Sequence, residues 1–401
     1  MANTIQLKRS SAAGVVPSAG SLVAGELAVN TADGKLYTKK DDGTVVAIGG
    51  GGGLPAGLIT SGPNAGLSSP DWLKCDGSVY AKSTYPALGT ILGDAYDITI
   101  ANFPASGTWG AIKHNGSIFC AVLNGSTVSA VSSNGTSWTQ GTLPSAVGTT
   151  NTGMAWNGSL FCVPVYNSLT LFTSPDGLTW TSRSLPQVAN WSQVVWNGSV
   201  FCVIAFGAAF CATSPDGITW TQRSMPATSN WSGLAWNGSI FCATSSGSTV
   251  AATSPDGITW TQRTLAANSY SVAWNGSLFF SSGSGGTSCY SSDGITWTLT
   301  YLPSGANSRQ MAVLGNRFCV PILSGTTAFI STDAISWSTI PIGVTQSASG
   351  MSANSTSFLM SGSGTALSLL KANSTSFRVP AITTNTGGFS SGYPGSYYIK
   401  T

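Results

Sequence analysis

Apolar residues along most of this chain gather in runs of about five positions, separated by Gly, Asn, Asp and Ser, the pattern of short strands and tight turns. The clearest copy is residues 231–265, WSGLAWNGSIFCATSSGSTVAATSPDGITWTQRTL. It predicts four strands, at 232–236, 240–244, 249–253 and 259–264. Asn237-Gly238 divides the first two, and Asn-Gly is the preferred pair for a type I′ hairpin because both central residues need positive φ. A turn around Gly247 leads to the third strand, and Asp256-Gly257 closes the last hairpin.

The unit repeats. Aligned on the aromatic that ends S-P-D-G-x-T-W, it gives Trp138, Trp180, Trp220, Trp260, Trp297, Trp337 and, degenerately, Phe377, at spacings of 42, 40, 40, 37, 40 and 40 residues. The Phe after the Asn-Gly turn gives Phe119, Phe161, Phe201, Phe241, Phe279, Phe318 and Phe358. Both markers count seven. Four antiparallel strands in about 40 residues, seven times over, predict an all-β fold, a seven-bladed β-propeller of four-stranded blades, in which radial packing leaves only short protected edges. A linear solenoid is the rival, but its end repeats would be modified as caps, and these are not. Residues 97–104 (DITIANFP) align without gaps on 219–226 (TWTQRSMP), so a stray fourth strand precedes the first complete unit. Its simplest use is to complete the last blade, although residues 377–380 (FRVP) compete for that slot.

Composition narrows the function. Only 7% of residues are charged, against roughly 25% in an ordinary domain. The net charge of +3 is scattered, which excludes the basic stripe of a nucleic-acid binder. No apolar run approaches the roughly 18–20 residues that span a bilayer, so no membrane insertion is expected. Residues 1–21 lack the apolar stretch of a secretory signal, which implies synthesis in a cytoplasm and reduced thiols for the eight cysteines. Cys120, Cys162, Cys202, Cys242 and Cys319 recur at one place in successive repeats, where Phe280 and Leu359 stand in the other two. A position that accepts Cys, Phe or Leu is a packing position, so neither bridges nor a metal are expected there.

SPDGITW resembles the Asp-box of sialidase-like propellers, S-x-D-x-G-x-T-W, shortened by one residue between Asp and Gly. In such a turn Asp bonds backbone N–H groups, Gly supplies positive φ and Trp packs between blades. Asp176, Asp216, Asp256, Asp293 and Asp333 are therefore read as structural. A glycosidase needs paired carboxylates, or a Tyr nucleophile with a Glu base. The single Glu, Glu26, lies outside the repeats, and the five turn aspartates are spread one per blade. Arg183, Arg223 and Arg263 recur on the fourth, outer strand, where charge discourages edge pairing, and not at the axis. His114 stands where other repeats have Trp156, Trp196, Trp236 and Trp274, as a packing substitute. No catalytic, metal or cofactor site is expected. The sequons at Asn157, Asn197, Asn237 and Asn275 are read as hairpin turns.

The ends carry further resemblances. Residues 1–48 form a separate segment whose IQLKRS opening and GELAVNTADGKLY phrase resemble the N-terminal segment of phage tail-fibre and receptor-binding proteins. In that family the segment joins the fibre to the tail or baseplate. Five glycines, Gly49 to Gly53, open a flexible linker over 49–57. Residues 70–93, PDWLKCDGSVYAKSTYPALGTILG, resemble the phage tail-collar domain, through Trp72, Cys75-Asp76-Gly77, Tyr85, Leu88, Ile91 and Gly93. The closing GSYYIKT resembles the endings of such proteins. The expected organisation is a collar-like first part at 58–96, the propeller at 97–376 and a collar-like return at 377–401. The chain departs from the collar pattern in lacking its long continuation. The resemblance implies a place in the virion and a homotrimer, although no heptad run supplies a coiled-coil seam.

Together these features predict a phage tail fibre protein that recognises a bacterial surface glycan or outer-membrane protein through loops on the propeller. Trp109, Trp191, Trp231 and Tyr270, near the starts of first strands, are candidates for stacking on sugar rings; the competing reading packs them between blades. The alternative function is a structural collar or baseplate component that braces other virion proteins. A secreted lectin leaves the ends unexplained, and a glycan-degrading tailspike lacks carboxylates. Because 213–223 and 253–263 are identical, specificity is expected where repeats diverge: the first, the stretch 266–286, and the last two.

Overall fold

Each repeat folds as its turns dictate, into antiparallel strands. The computed structural model describes residues 95–148, 153–303, 310–362 and 364–373, together with 8–10, 15–16, 18–22, 27–30, 35–40, 42–48, 59–62, 72–74, 78–86, 88, 376–378 and 396–400. The chain divides into two compact units, 96–372 and 1–95 with 373–401.

In the larger unit, Trp109–His114, Phe119–Leu123, Val128–Ser132 and Thr139–Thr142 form a four-stranded sheet. The next three repeats share one nine-stranded sheet. They merge because Thr181–Trp196 and Thr221–Trp236 run unbroken from the fourth strand of one repeat into the first strand of the next. Four-stranded sheets follow from Ser271–Trp274 to Thr298–Tyr301 and from Ala312–Leu314 to Ser338–Pro341. The last consists of Gln346–Ala353, Ser357–Gly362, Ala366–Asn373 and, from the other end of the unit, Ala95–Asn102. Phe103 N–H, just past that strand, donates to Thr365 O at 2.8 Å. His114 N–H donates to Ser352 Oγ at 3.1 Å, and Ser361 Oγ donates to Trp109 O at 3.1 Å. First and last repeats are thereby joined. Ser376–Arg378, the rival for the closing slot, pairs instead with Val79–Ala81.

Antiparallel order puts the connections between first and second and between third and fourth strands on one face, here the turn face. Connections between second and third strands, and the links from one repeat to the next, share the opposite loop face. There Val147 N–H donates to Ser126 O (3.1 Å) and Asn124 N–H to Thr108 O (2.9 Å). Ala95–Asn102 runs toward the loop face and Ala366–Asn373 away from it, so the unit begins and ends at the turn face.

The core between sheets is columnar. Phe119, Phe161, Phe201, Phe241, Phe279, Phe318 and Phe358 are all 0% exposed, as are Cys120, Cys162, Cys202, Cys242, Phe280, Cys319 and Leu359. The cysteines among the described residues are free, and burial pushes the Cys120, Cys242 and Cys319 thiols well above their ordinary range. Trp156, Trp196, Trp236 and Trp274 lie 4.5–4.7 Å from the column phenylalanines, and His114 lies 4.6 Å from Phe119 in the same place. That is the packing role the sequence assigns it.

The Asn-Gly turns differ from expectation. Positive φ falls on the glycine alone, as at Gly158 (+99°) and Gly238 (+98°), so these are not type I′ turns. Trp156 pairs with Phe161, leaving a four-residue loop. Asn157 Oδ1 accepts from Ser159 N–H (2.9 Å) and Leu160 N–H (2.7 Å). The side-chain amide bonds the loop backbone, which removes the need for positive φ at Asn.

In the smaller unit, Lys8–Ser10, Leu27–Asn30, Lys35–Lys39 and Val45–Ile48 form one sheet, with Ala28 opposite the buried Tyr37. Ser396–Lys400 lies between Ile59–Gly62 and Trp72–Lys74. Strands from before and after the larger unit therefore share a sheet. The glycine run, Glu26, Cys75-Asp76-Gly77, Ile91 and Gly93 lie outside the described residues.

Candidate functional site

The five aspartates work inside their own turns. Asp256 Oδ1 accepts from Ile258 N–H (2.8 Å) and Thr259 N–H (2.9 Å), while Ser254 Oγ accepts from Gly257 N–H (2.8 Å) and donates to Asp256 Oδ1 (3.0 Å). Asp176, Asp216, Asp293 and Asp333 repeat the arrangement. Trp180, Trp220, Trp260 and Trp297 donate Nε1–H to the carbonyl of the turn glycine. In the sixth repeat Ala334 replaces that glycine; its carbonyl accepts from Thr300 Oγ, and Trp337 Nε1 has no partner among the described residues. The N–H groups of Thr219 and Thr296 lead in holding Asp216 and Asp293 below the ordinary carboxylate value. At Asp176, Asp256 and Asp333 burial is the largest single influence and opposes this, but the turn bonds together outweigh it.

The first repeat shows that charge is dispensable in this turn. Asn134 Oδ1 there accepts from Thr136 and Ser137 N–H, both at 2.9 Å. Asp256→Asn should thus keep stability near neutral pH to within about 0.5 kcal/mol, and Asp256→Ala should lose about 1 kcal/mol with its two bonds. Carboxylates depressed in the fold contribute stability that is full above their unfolded value near 3.8 and is lost as pH falls through the folded value. Urea unfolding at pH 7 and near pH 3 would check both points, the Asn variant losing less than wild type on acidification.

Three of the four stacking candidates are corrected by the structure. Trp109, Trp191 and Trp231 are 0% exposed. Trp109 Nε1–H donates to Ala105 O (3.0 Å), Trp191 to Gln187 O (3.2 Å) and Trp231 to Ala208 O (3.0 Å). Burying the ring while its N–H finds a backbone carbonyl is the usual settlement for a core Trp, and it leaves no face for a sugar. Tyr270 is half-buried.

First strands of all the repeats line a common axial channel of ≈350 Å³. Its lining is mostly small or apolar, with Gln193, Gln310, Ser271 and Ser352 as polar members. Lys113 is the one ionisable side chain among its described lining residues. It is exposed to the channel space yet ringed by protein, and that enclosure lowers its ammonium pKa. Burial first, and then the Lys113 charge, lowers His114. Sequence reasoning passes over Lys113. The available signal is its column: Lys113 pairs with Cys120, where the matching partners are Ala155, Val195, Ala235, Ala273, Ala312 and Ser352. Arg183, Arg223 and Arg263 lie away from the channel, each donating Nε–H to a neighbouring-strand threonine at 3.0–3.1 Å.

Residues 61–103 match the family model of the Phage Tail Collar Domain, and residues 99–230 match that of the DUF6242 beta propeller domain. The matches overlap on the strand that closes the last sheet. No curated protein matches the chain. Among solved structures, the chain is similar to virginiamycin B lyase from Staphylococcus aureus with quinupristin (9% identity, 69% of this chain and 99% of that one, TM-score 0.60). It is also similar to YCF48 from Cyanidioschyzon merolae (11%, 68% and 98%, TM-score 0.52) and to the WD40 beta propeller domain of Doa1 (10%, 70% and 97%, TM-score 0.55). At such identities the likeness shows the fold, a β-propeller. The collar match and the propeller support a phage tail-associated protein.

Proposed function

We propose that this chain is a phage tail fibre protein whose seven-bladed propeller recognises the host surface during adsorption. One observation carries the reading: a collar match at 61–103 is continuous in chain with a propeller, and the C-terminal strand Ser396–Lys400 returns to pair with strands that precede it. A propeller set into a collar-like module suits display on a virion, with the N-terminal segment joining tail or baseplate proteins and a homotrimer as the assembled form. The blade count rests on the seven repeats, each of which contributes a first strand to the channel.

The role is non-catalytic in this reading. The five turn aspartates accept hydrogen bonds within their own turns, and the channel offers one lysine and no carboxylate among its described lining residues. The purified full-length chain, fluorescently labelled, is expected to label host bacteria and to block phage adsorption. Labelling should vanish from mutants lacking the receptor. A folded, assembled protein that labels no host strain and leaves adsorption unchanged would overturn the reading.

One feature favours the bracing role as second reading. Ile218, Ile258, Ile295 and Ile335 are 44–59% exposed at equivalent points of successive turns, an apolar row suited to a protein neighbour. Ile218→Ser with Ile258→Ser would then impair virion assembly and leave cell labelling intact.

A further inference from the structure

The two faces of the propeller unit differ in chemistry. Its five turn aspartates lie on the turn face, Asp97 stands near the start of the strand that begins there, and the chain also enters and leaves the unit at that face. That face repeats itself: Asn-Gly-Ser and Pro-Asp-Gly-Ile recur with little change. The loop face bears neither chain end. Its second-to-third-strand loops and inter-repeat links differ from repeat to repeat, and among the described residues they contain no Asp, Glu, Lys or Arg. They offer amides (Asn167, Asn190, Asn230, Asn268), hydroxyls and partly exposed aromatics, with Tyr301 62% exposed.

A focus lies in the third repeat, at a position that is aromatic in the second repeat as well (Tyr166). Phe206 pairs with Asn190 on one side and Asn230 on the other, so an aromatic residue is flanked by two amides in register. The residue in its place in the fourth repeat is Ser246. Phe206 is half-exposed and belongs to no ring–ring pair among the described residues. Asn230 is exposed, with its backbone carbonyl taken by Ser246 N–H (2.8 Å).

Resting on the recognition reading above, we infer that the loop face is the binding face, centred on Phe206, Asn190 and Asn230, and that its ligand is an uncharged glycan. A neutral sugar presents apolar C–H faces that lie on an aromatic ring and hydroxyls that both donate and accept, as an amide does. An acidic or phosphorylated sugar would call for Arg or Lys to pair with its charge, and the loop 206–209 and the links 185–191 and 225–231 that surround this centre hold none.

The test uses the full chain on intact host cells and on an array of neutral and acidic bacterial oligosaccharides. Wild type is expected to bind neutral members, with affinity unchanged between about 0.05 and 0.5 M NaCl because no ion pair is involved. Phe206→Ala and Asn230→Ala should each weaken binding by roughly tenfold or more, and Ile258→Ser on the turn face should leave it unchanged. Asn230→Asp, which alters no volume, serves if the Phe206 variant folds poorly. Binding restricted to acidic glycans, or weakening with salt, would overturn the ligand class. Loss through Ile258→Ser alone would overturn the face, and labelling abolished by protease treatment of the cells would assign a protein receptor instead. Each of those leaves host recognition standing, whereas no binding to any host cell would overturn that reading itself.

Discussion

Phe103→Ala should destabilise the propeller unit by about 3–5 kcal/mol, the full cost of emptying a buried aromatic site. Phe103 follows the closing strand and is 3% exposed. Its ring stacks on Trp109 at 4.4 Å and meets Trp138 at 4.7 Å, and its N–H donates to Thr365 O. One side chain thus ties the segment that completes the last sheet to the first repeat. Truncation leaves a cavity that rigid sheets cannot collapse, and it loosens the hold on the ring from its N-terminal side. In a unit of this size the expected fall in Tm is on the order of 10 °C. Calorimetry or thermal circular dichroism would check it. A fall of only a degree or two would mean that the ring does not depend on this clasp.

Gly177→Ala is the second large effect, expected at about 2–4 kcal/mol by adding backbone strain to overpacking. Gly177 has φ +75°, and a Cβ there would lie 2.5 Å from Val131 Cγ1 and 2.8 Å from Cys120 Sγ. The turn of one repeat is pressed against the column of the one before it. Gly158 makes the control: its φ is +99°, but nothing lies within 4 Å of an added Cβ. Gly158→Ala should therefore cost only about 1 kcal/mol, from backbone conformation alone. Urea unfolding of both variants separates the two contributions. Equal losses would show that inter-repeat contact adds nothing.

Much of the fold was legible from local chemistry. Ser-Pro-Asp-Gly and Asn-Gly mark where strands reverse whatever surrounds them, so the repeat unit and the all-β propeller follow from them. The closing strand was legible because 97–104 keeps the form of a fourth strand without its own repeat. The Asn-Gly loop was misjudged: propensity favours positive φ at both residues, but Asn157 Oδ1 found two N–H groups and changed the turn. The fused strands were hidden, since Leu185 to Asn190 carry no signal that distinguishes a continuous bend from a break. Trp109, Trp191 and Trp231 were ambiguous in kind, because a Trp at a strand start serves a sugar or a core equally well until its burial is known. Lys113 went unseen because it is a single departure inside a column of small residues, and Phe206 because its two flanking amides come together only once register pairs them.

The out-of-order strand also sets a timetable. Ala95–Asn102 leaves the ribosome before any complete repeat, yet its partner Ala366–Asn373 follows about 270 residues later. At roughly 5–20 residues per second, that is a wait on the order of 15–55 s. Throughout it, a strand carrying Ile98 and Ile100 has no edge to join. Consecutive repeats can pair as they emerge, but the final sheet forms only when synthesis is almost complete, so closure of the ring is a nearly post-translational event.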